Sequence, residues 1–151
     1  MINASDNVDL SRFTRAQDSI YDRVLAELRN GRNGRKRTHW MWYIFPQIDG
    51  LGHSTTSKHY AIKSLEEARQ YLNHPVLGKR LLECAEAVFT AEGRSISEIF
   101  GYPDNLKLKS SMTLFACVAE PYSVFFRILD KYFNGEKDAL TLQLLEEIKT
   151  K

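Results

Sequence analysis

Apolar residues in this chain recur at spacings of three and four inside short segments that Ser, Asp, Gly and Pro cut off at both ends. That periodicity places a stripe on one face of a helix, and the capping residues supply the starts and stops. Leu10, Phe13, Ile20, Tyr21, Val24, Leu25 and Leu28 make the first stripe, with Asp9 as its N-cap and Gly31 as its stop. Ser64-Leu65-Glu66-Glu67 has the form of a capping box, in which the serine hydroxyl accepts a backbone N–H three residues on and the glutamate reaches back. Ala68, Tyr71 and Leu72 follow on one face, and this second helix ends near Asn73. Pro75 suits the first turn of a third, with Leu77, Leu81, Cys84, Ala85, Val88 and Phe89 as its buried stripe and Gly93 as its end. Ser95-Ile96-Ser97-Glu98 repeats the box ahead of a short helix cut off by Gly101 and Pro103. Asp104 is then read as the cap of a helix carrying Leu106 to Val118, Pro121 opens one that reaches Phe133, and Asp138 caps the last, through Leu142, Leu145 and Ile148.

No segment alternates with hairpin turn chemistry, so residues 43–45 and 59–62 are short strands at most. The expected fold is all-α: a compact single-domain bundle of about six or seven helices over residues 9–149, with an irregular aromatic segment, after a tail at 1–8. A chain of 151 residues, 43% hydrophobic, can bury a core without staples. Cys84 and Cys117 each sit among apolar neighbours and read as two free, buried thiols of a reducing compartment. The first residues hold no cationic stretch followed by an apolar run, and nowhere do eighteen apolar residues follow one another. A cytoplasmic chain with no membrane partner is expected.

Residues 39–54 stand apart, because they hold both tryptophans, two of the four histidines and a Gly-Leu-Gly turn. A core uses aromatics, but it has little use for His39, Gln47, Asp49 and Ser54 among them unless those groups meet one another or a ligand. A pocket is expected here. Gly52-His53-Ser54, followed by Thr55, Thr56 and Ser57, can turn backbone N–H groups and hydroxyls toward an anion. His39, His53, His59 and His74 form no HExxH pair and no CxxC is present, so neither a metal site nor a cofactor is expected.

A second polar cluster lies at the predicted helix start. Positions 104, 107 and 111 share a face there, and Leu108, Met112 and Phe115 share an adjoining one. Left at the surface, Asp104 and Lys107 would make an i,i+3 pair worth about a few tenths of a kcal/mol. Packed against the aromatic segment they would be desolvated and paired, which is how a carboxylate or an amine becomes useful in a site. Arg32, Arg35, Lys36 and Arg37 form a basic loop that leads into His39 and Trp40. A solvated loop is the simplest reading of it, although the net charge of +2 is concentrated there and phosphate neutralisation is the alternative.

Several separated motifs together resemble domain-of-unknown-function family 1810. They are His39-Trp40-Met41-Trp42, Phe45-Pro46-Gln47-Ile48, Gly50-Leu51-Gly52-His53-Ser54, the run from Pro75 through Gly78 to Arg80-Leu81, and Phe100-Gly101-Tyr102-Pro103-Asp104 continuing to Lys107 and Phe115. Arg12-Phe13, Ala16-Gln17, Phe133, Gly135, Asp138 and Thr141 fit the same pattern, and the likeness spans roughly residues 10–145. The Arg-rich stretch from Gly31 to Arg37 is longer than the family's usual Gly-Lys link. The resemblance implies a mostly helical bacterial domain with a shared site at His39, Trp40, Trp42, Gln47, Ser54, Tyr60, Asp104 and Lys107, and it brings no established activity.

The expected function is binding of a small anionic or nucleotide-like ligand. Trp40 or Trp42 would stack on its ring, while His39, Gln47, Ser54, Tyr60 and Lys107 line the site and Asp104 or His53 serves as acid or base. Hydrolysis of an N-glycosidic bond is the most concrete chemistry these groups suggest. The alternative is an interaction module in which the basic loop at 32–37 meets nucleic acid or protein and the tryptophans are core.

Overall fold

Local capping chemistry explains the starts of several helices in the computed structural model, which describes residues 9–29 and 40–149. Ser95 and Glu98 form the complete box that opens α7 (Ile96–Phe100): the Ser95 N–H donates to Glu98 Oε1 at 2.7 Å and the Glu98 N–H to Ser95 Oγ at 3.1 Å. Asp138 Oδ2 accepts from both the N–H and the hydroxyl of Thr141 to start α10 (Ala139–Lys149). Ser64 caps α5 (Leu65–Asn73) by accepting the Glu67 N–H at 3.0 Å. The box is not closed, however. The buried Glu67 carboxylate accepts the Lys63 N–H at 2.7 Å and pairs with Arg12 at 3.0 Å, tying α5 to the first helix.

The stripe read as one helix over 10–28 is two, α1 (Ser11–Asp18) and α2 (Tyr21–Arg29). Between Phe13 and Ile20 the only buried side chain is Gln17, so the apolar stripe lapses there and the chain turns at Ser19. Two one-turn helices, α3 (Met41–Ile44) and α4 (Thr55–His59), occupy the segment expected to be irregular. The two runs considered as strands reduce to a single parallel bridge between Ile48 and Ile62, in which Ile62 N–H donates to Gln47 O and Asp49 N–H to Ile62 O, both at 2.8 Å. With these short pieces the described residues form ten helices and no strand, more helices than the periodicity resolved because a single turn carries no repeating stripe.

Three other boundaries differ from expectation. Helix α6 (Leu77–Thr90) begins two residues beyond Pro75, where His74 Nδ1 accepts the Val76 and Leu77 N–H groups, each at 3.1 Å. Asp104 is the first residue of α8 (Asp104–Ala116) rather than its cap, a position that Pro103 takes. α9 (Val124–Phe133) starts three residues after Pro121, behind Ser123.

Helix α8 forms the centre. From Ser110 to Ala116 every side chain is buried, and the helix packs against α3, α5, α7, α9 and α10. Helix α6 packs against α2, α5 and α9, and Gly78 lets it approach α5 closely, since a Cβ there would lie 2.0 Å from the Leu72 carbonyl oxygen. Cys84 is buried in this layer, but Cys117 follows the last turn of α8 and is exposed, contrary to the expectation of two buried thiols. No helix among the described residues is long and apolar enough to cross a membrane. His39, Gly31 and the basic residues Arg32, Arg35, Lys36 and Arg37 lie outside the described residues.

Candidate functional site

Trp40 and Trp42 flank the start of α3 and have different surroundings. Trp40 is 1% exposed, gives its indole N–H to Glu27 Oε1 at 2.9 Å, and meets the rings of Phe45 and Phe100, both with centroids 6.1 Å away. It is a core side chain with no face for a ligand, which corrects its assignment as a stacking surface. Trp42 is half-buried, and the Lys107 ammonium stands 4.2 Å from its ring centroid. The same ammonium reaches Asp104 Oδ1 at 3.2 Å, with side-chain exposures of 23% for Lys107 and 17% for Asp104. The 104/107 face of α8 is thus turned to the aromatic segment, and its pair is partly withdrawn from water.

Trp42, Gln47, Gly50, Gly52, Ser57 and Tyr60 line a crevice beside this cluster. Its free volume is about 10 Å³, room for about one water. The pocket expected in this segment is a narrow crevice here. Tyr60 packs edge-on against Tyr43 and His59, each at 4.7 Å, and burial together with the neighbouring Tyr43 raises its hydroxyl pKa.

In the Gly-containing turn the serine hydroxyls are engaged with one another. The Ser54 hydroxyl caps α4, accepting the Ser57 N–H and donating to Ser57 Oγ, both at 3.0 Å. Gly52 is demanded by Ser57, whose Oγ would lie 2.4 Å from a Cβ at that position. His53 is exposed on this turn and does not line the crevice. No cluster of three or more His, Cys, Asp or Glu that could hold a metal occurs among the described residues.

Of the candidate residues, the fold brings Trp42, Gln47, Tyr60, Asp104 and Lys107 to one region, whereas Trp40 lies in the core, His53 is exposed and the Ser54 hydroxyl caps α4. Sequence reasoning missed the polar ties behind this region. Gln17, fully buried, donates to the Tyr43 carbonyl at 2.7 Å and the Tyr71 hydroxyl at 2.9 Å, and Arg12 donates to the carbonyls of His59 at 2.8 Å and Ala61 at 3.0 Å. A glutamine at a stripe position between Phe13 and Ile20 was the available signal.

These features define a helical protein whose family is set by its sequence as a whole. The model of a family described as a protein of unknown function, DUF1810, matches residues 7–145, and the chain belongs to that family. A solved structure, that of the conserved hypothetical protein Rv1873 from Mycobacterium tuberculosis, is 52% identical and superposes with a TM-score of 0.87, covering 91% of this chain and 96% of that one. No curated protein matches.

Proposed function

We propose that this chain binds a small anionic molecule with a planar ring at the Trp42–Lys107 cluster, a nucleotide-like ligand having both parts. The observation that carries this reading is the shared ammonium: Lys107 lies 4.2 Å from the Trp42 centroid and 3.2 Å from Asp104 Oδ1. A partly exposed ion pair exchanges partners at little cost, so the lysine can serve a ligand phosphate or carboxylate instead. Trp42 supplies the surface for a ring, with Gln47 and Tyr60 at its side. A ring stacking on the indole face that Lys107 covers takes the place of the ammonium, so binding there and lysine displacement are one event.

Hydrolysis of an N-glycosidic bond is the catalytic extension of the same reading. Asp104, released from Lys107, would take a proton from water as its oxygen adds to the sugar carbon and the carbon–nitrogen bond breaks, and would pass that proton to the departing base nitrogen, which regenerates the carboxylate. His53 has no part in this version.

The test is thermal unfolding with ADP-ribose, NAD and nucleotides. A ligand at 100 times its Kd should raise Tm by about 5–10 °C, and the rise should vanish in Trp42→Ala while melting stays cooperative. No rise with any of these compounds overturns the proposal. Asp104→Ala then separates the two layers, since it should bind and not turn over.

A further inference from the structure

A second cavity, of about 370 Å³, opens where α2 and α6 end, with Leu28, Arg29, Ala87, Ala91, Glu92 and Arg94 in its lining. That volume is in the range of small-molecule sites. Leu28, Ala87 and Ala91 give it a small apolar floor, and Arg29 and Arg94 against the one carboxylate of Glu92 leave its lining with an excess positive charge.

Arg94 is the unusual member. Its Nε and Nη1 atoms are buried and have no hydrogen-bond partner among the described residues. A guanidinium is always charged, and a buried N–H with no acceptor is unfavourable. The customary acceptors at a helix C-terminus are the last carbonyls, and here three of them already serve other donors. Val88 O accepts the Tyr132 hydroxyl at 2.7 Å, Ala91 O accepts Lys131 Nζ at 2.8 Å, and Phe89 O accepts the same ammonium. Glu98 is near enough for Arg94 to help hold its carboxyl below the usual range, yet it bonds the Ser95 N–H at 2.7 Å. The chain thus carries a fixed cation beside a cavity, and several acceptors near it serve other donors.

We infer that this cavity takes a small oxyanion, a phosphate or carboxylate borne on a compact apolar body, with Arg94 as its principal donor and Arg29 adding charge at the rim. Guanidinium geometry suits either group, and Lys in its place offers a point charge without the planar donor set. The site is separate from Trp42 and Lys107 and does not depend on their reading.

The experiment is a titration of ¹⁵N-labelled protein with inorganic phosphate and, in a parallel arm, with acetate, each against chloride at equal ionic strength. The arginine Nε–H resonances are observed, and Arg94 is assigned from its absence in Arg94→Lys. A saturable shift of the Arg94 resonance in either arm, with binding about tenfold weaker in Arg94→Lys, supports the site, and the stronger arm names the anion. An Arg94 resonance that neither anion moves overturns it, as does a response confined to residues around Lys107. If Arg94→Lys folds poorly, Arg94→Gln supplies the assignment and the wild-type titration is read in the same way.

Discussion

Trp40 donates its indole N–H to Glu27 Oε1 across 2.9 Å inside the core, where the two side chains are 1% and 9% exposed. Two positions apart on a single helical turn, side chains diverge by about 200°, so when Trp40 points inward Trp42 points out toward Lys107. One tryptophan is packed in the core and the other stays half-buried beside Lys107. Trp40→Phe should cost about 2–4 kcal/mol by removing a hydrogen bond to a carboxylate and part of a packed ring, with ligand responses intact. Trp42→Ala should cost about 1–2 kcal/mol. Urea unfolding of both variants checks the order, and a reversed order would show that the two roles are misassigned.

Lys107 contributes little to stability despite its two contacts. A partly exposed ion pair and a cation over a ring are each worth about 1 kcal/mol or less, so Lys107→Met should lower stability by under about 1 kcal/mol. It should also alter Trp42 emission, since the charge beside the indole is gone. A large loss of stability with unchanged emission would mean that Lys107 is a structural strut.

Gly78 marks the tightest contact between α5 and α6. A methyl group there would lie 2.0 Å from a backbone oxygen, which cannot rotate away as a side chain does. Gly78→Ala should therefore cost about 3 kcal/mol, at the upper end of overpacking. At Gly93, with φ +72° and nothing within 4 Å of an added Cβ, the cost is conformational alone and should be about 1–2 kcal/mol. Thermal unfolding of the two variants side by side measures the difference.

The two thiols should separate cleanly. Burial pushes the Cys84 thiol up to about 12, so it is protonated at neutral pH and shielded, whereas Cys117 is exposed. A disulfide reagent should titrate one thiol in the native protein and two in denaturant, and Cys117→Ser should remove the native reaction. Two fast native thiols would show that the α6 layer opens readily.

Acid should weaken the start of α7. Hydrogen bonds from Ser95 hold the Glu98 carboxyl below its ordinary value of 4.5. A group depressed in the folded state stabilises above its unfolded pKa, and that contribution is lost as pH falls through the lower folded value. Wild-type Tm should therefore fall more steeply below 4.5 than that of Glu98→Gln, because Gln cannot titrate. Parallel Tm profiles on the acid side would remove Glu98 from the pH response.

What the sequence alone determined is what neighbours along the chain decide. Ser95 with Glu98, Ser64 with Glu67 N–H and Asp138 with Thr141 each join atoms three residues apart, and a helical repeat puts Asp104 and Lys107 on one face wherever that helix lies. Only the tertiary structure decided which face met which. It sent the Glu67 carboxylate to Arg12, 55 residues away, gave Trp40 to Glu27, and brought Lys107 over Trp42. It also left Cys117 exposed while burying Cys84, though both have apolar neighbours in sequence. The physical reason is range: a cap or an i,i+3 pair forms within one turn, whereas burial depends on where distant helices pack, and a local pattern carries no record of that.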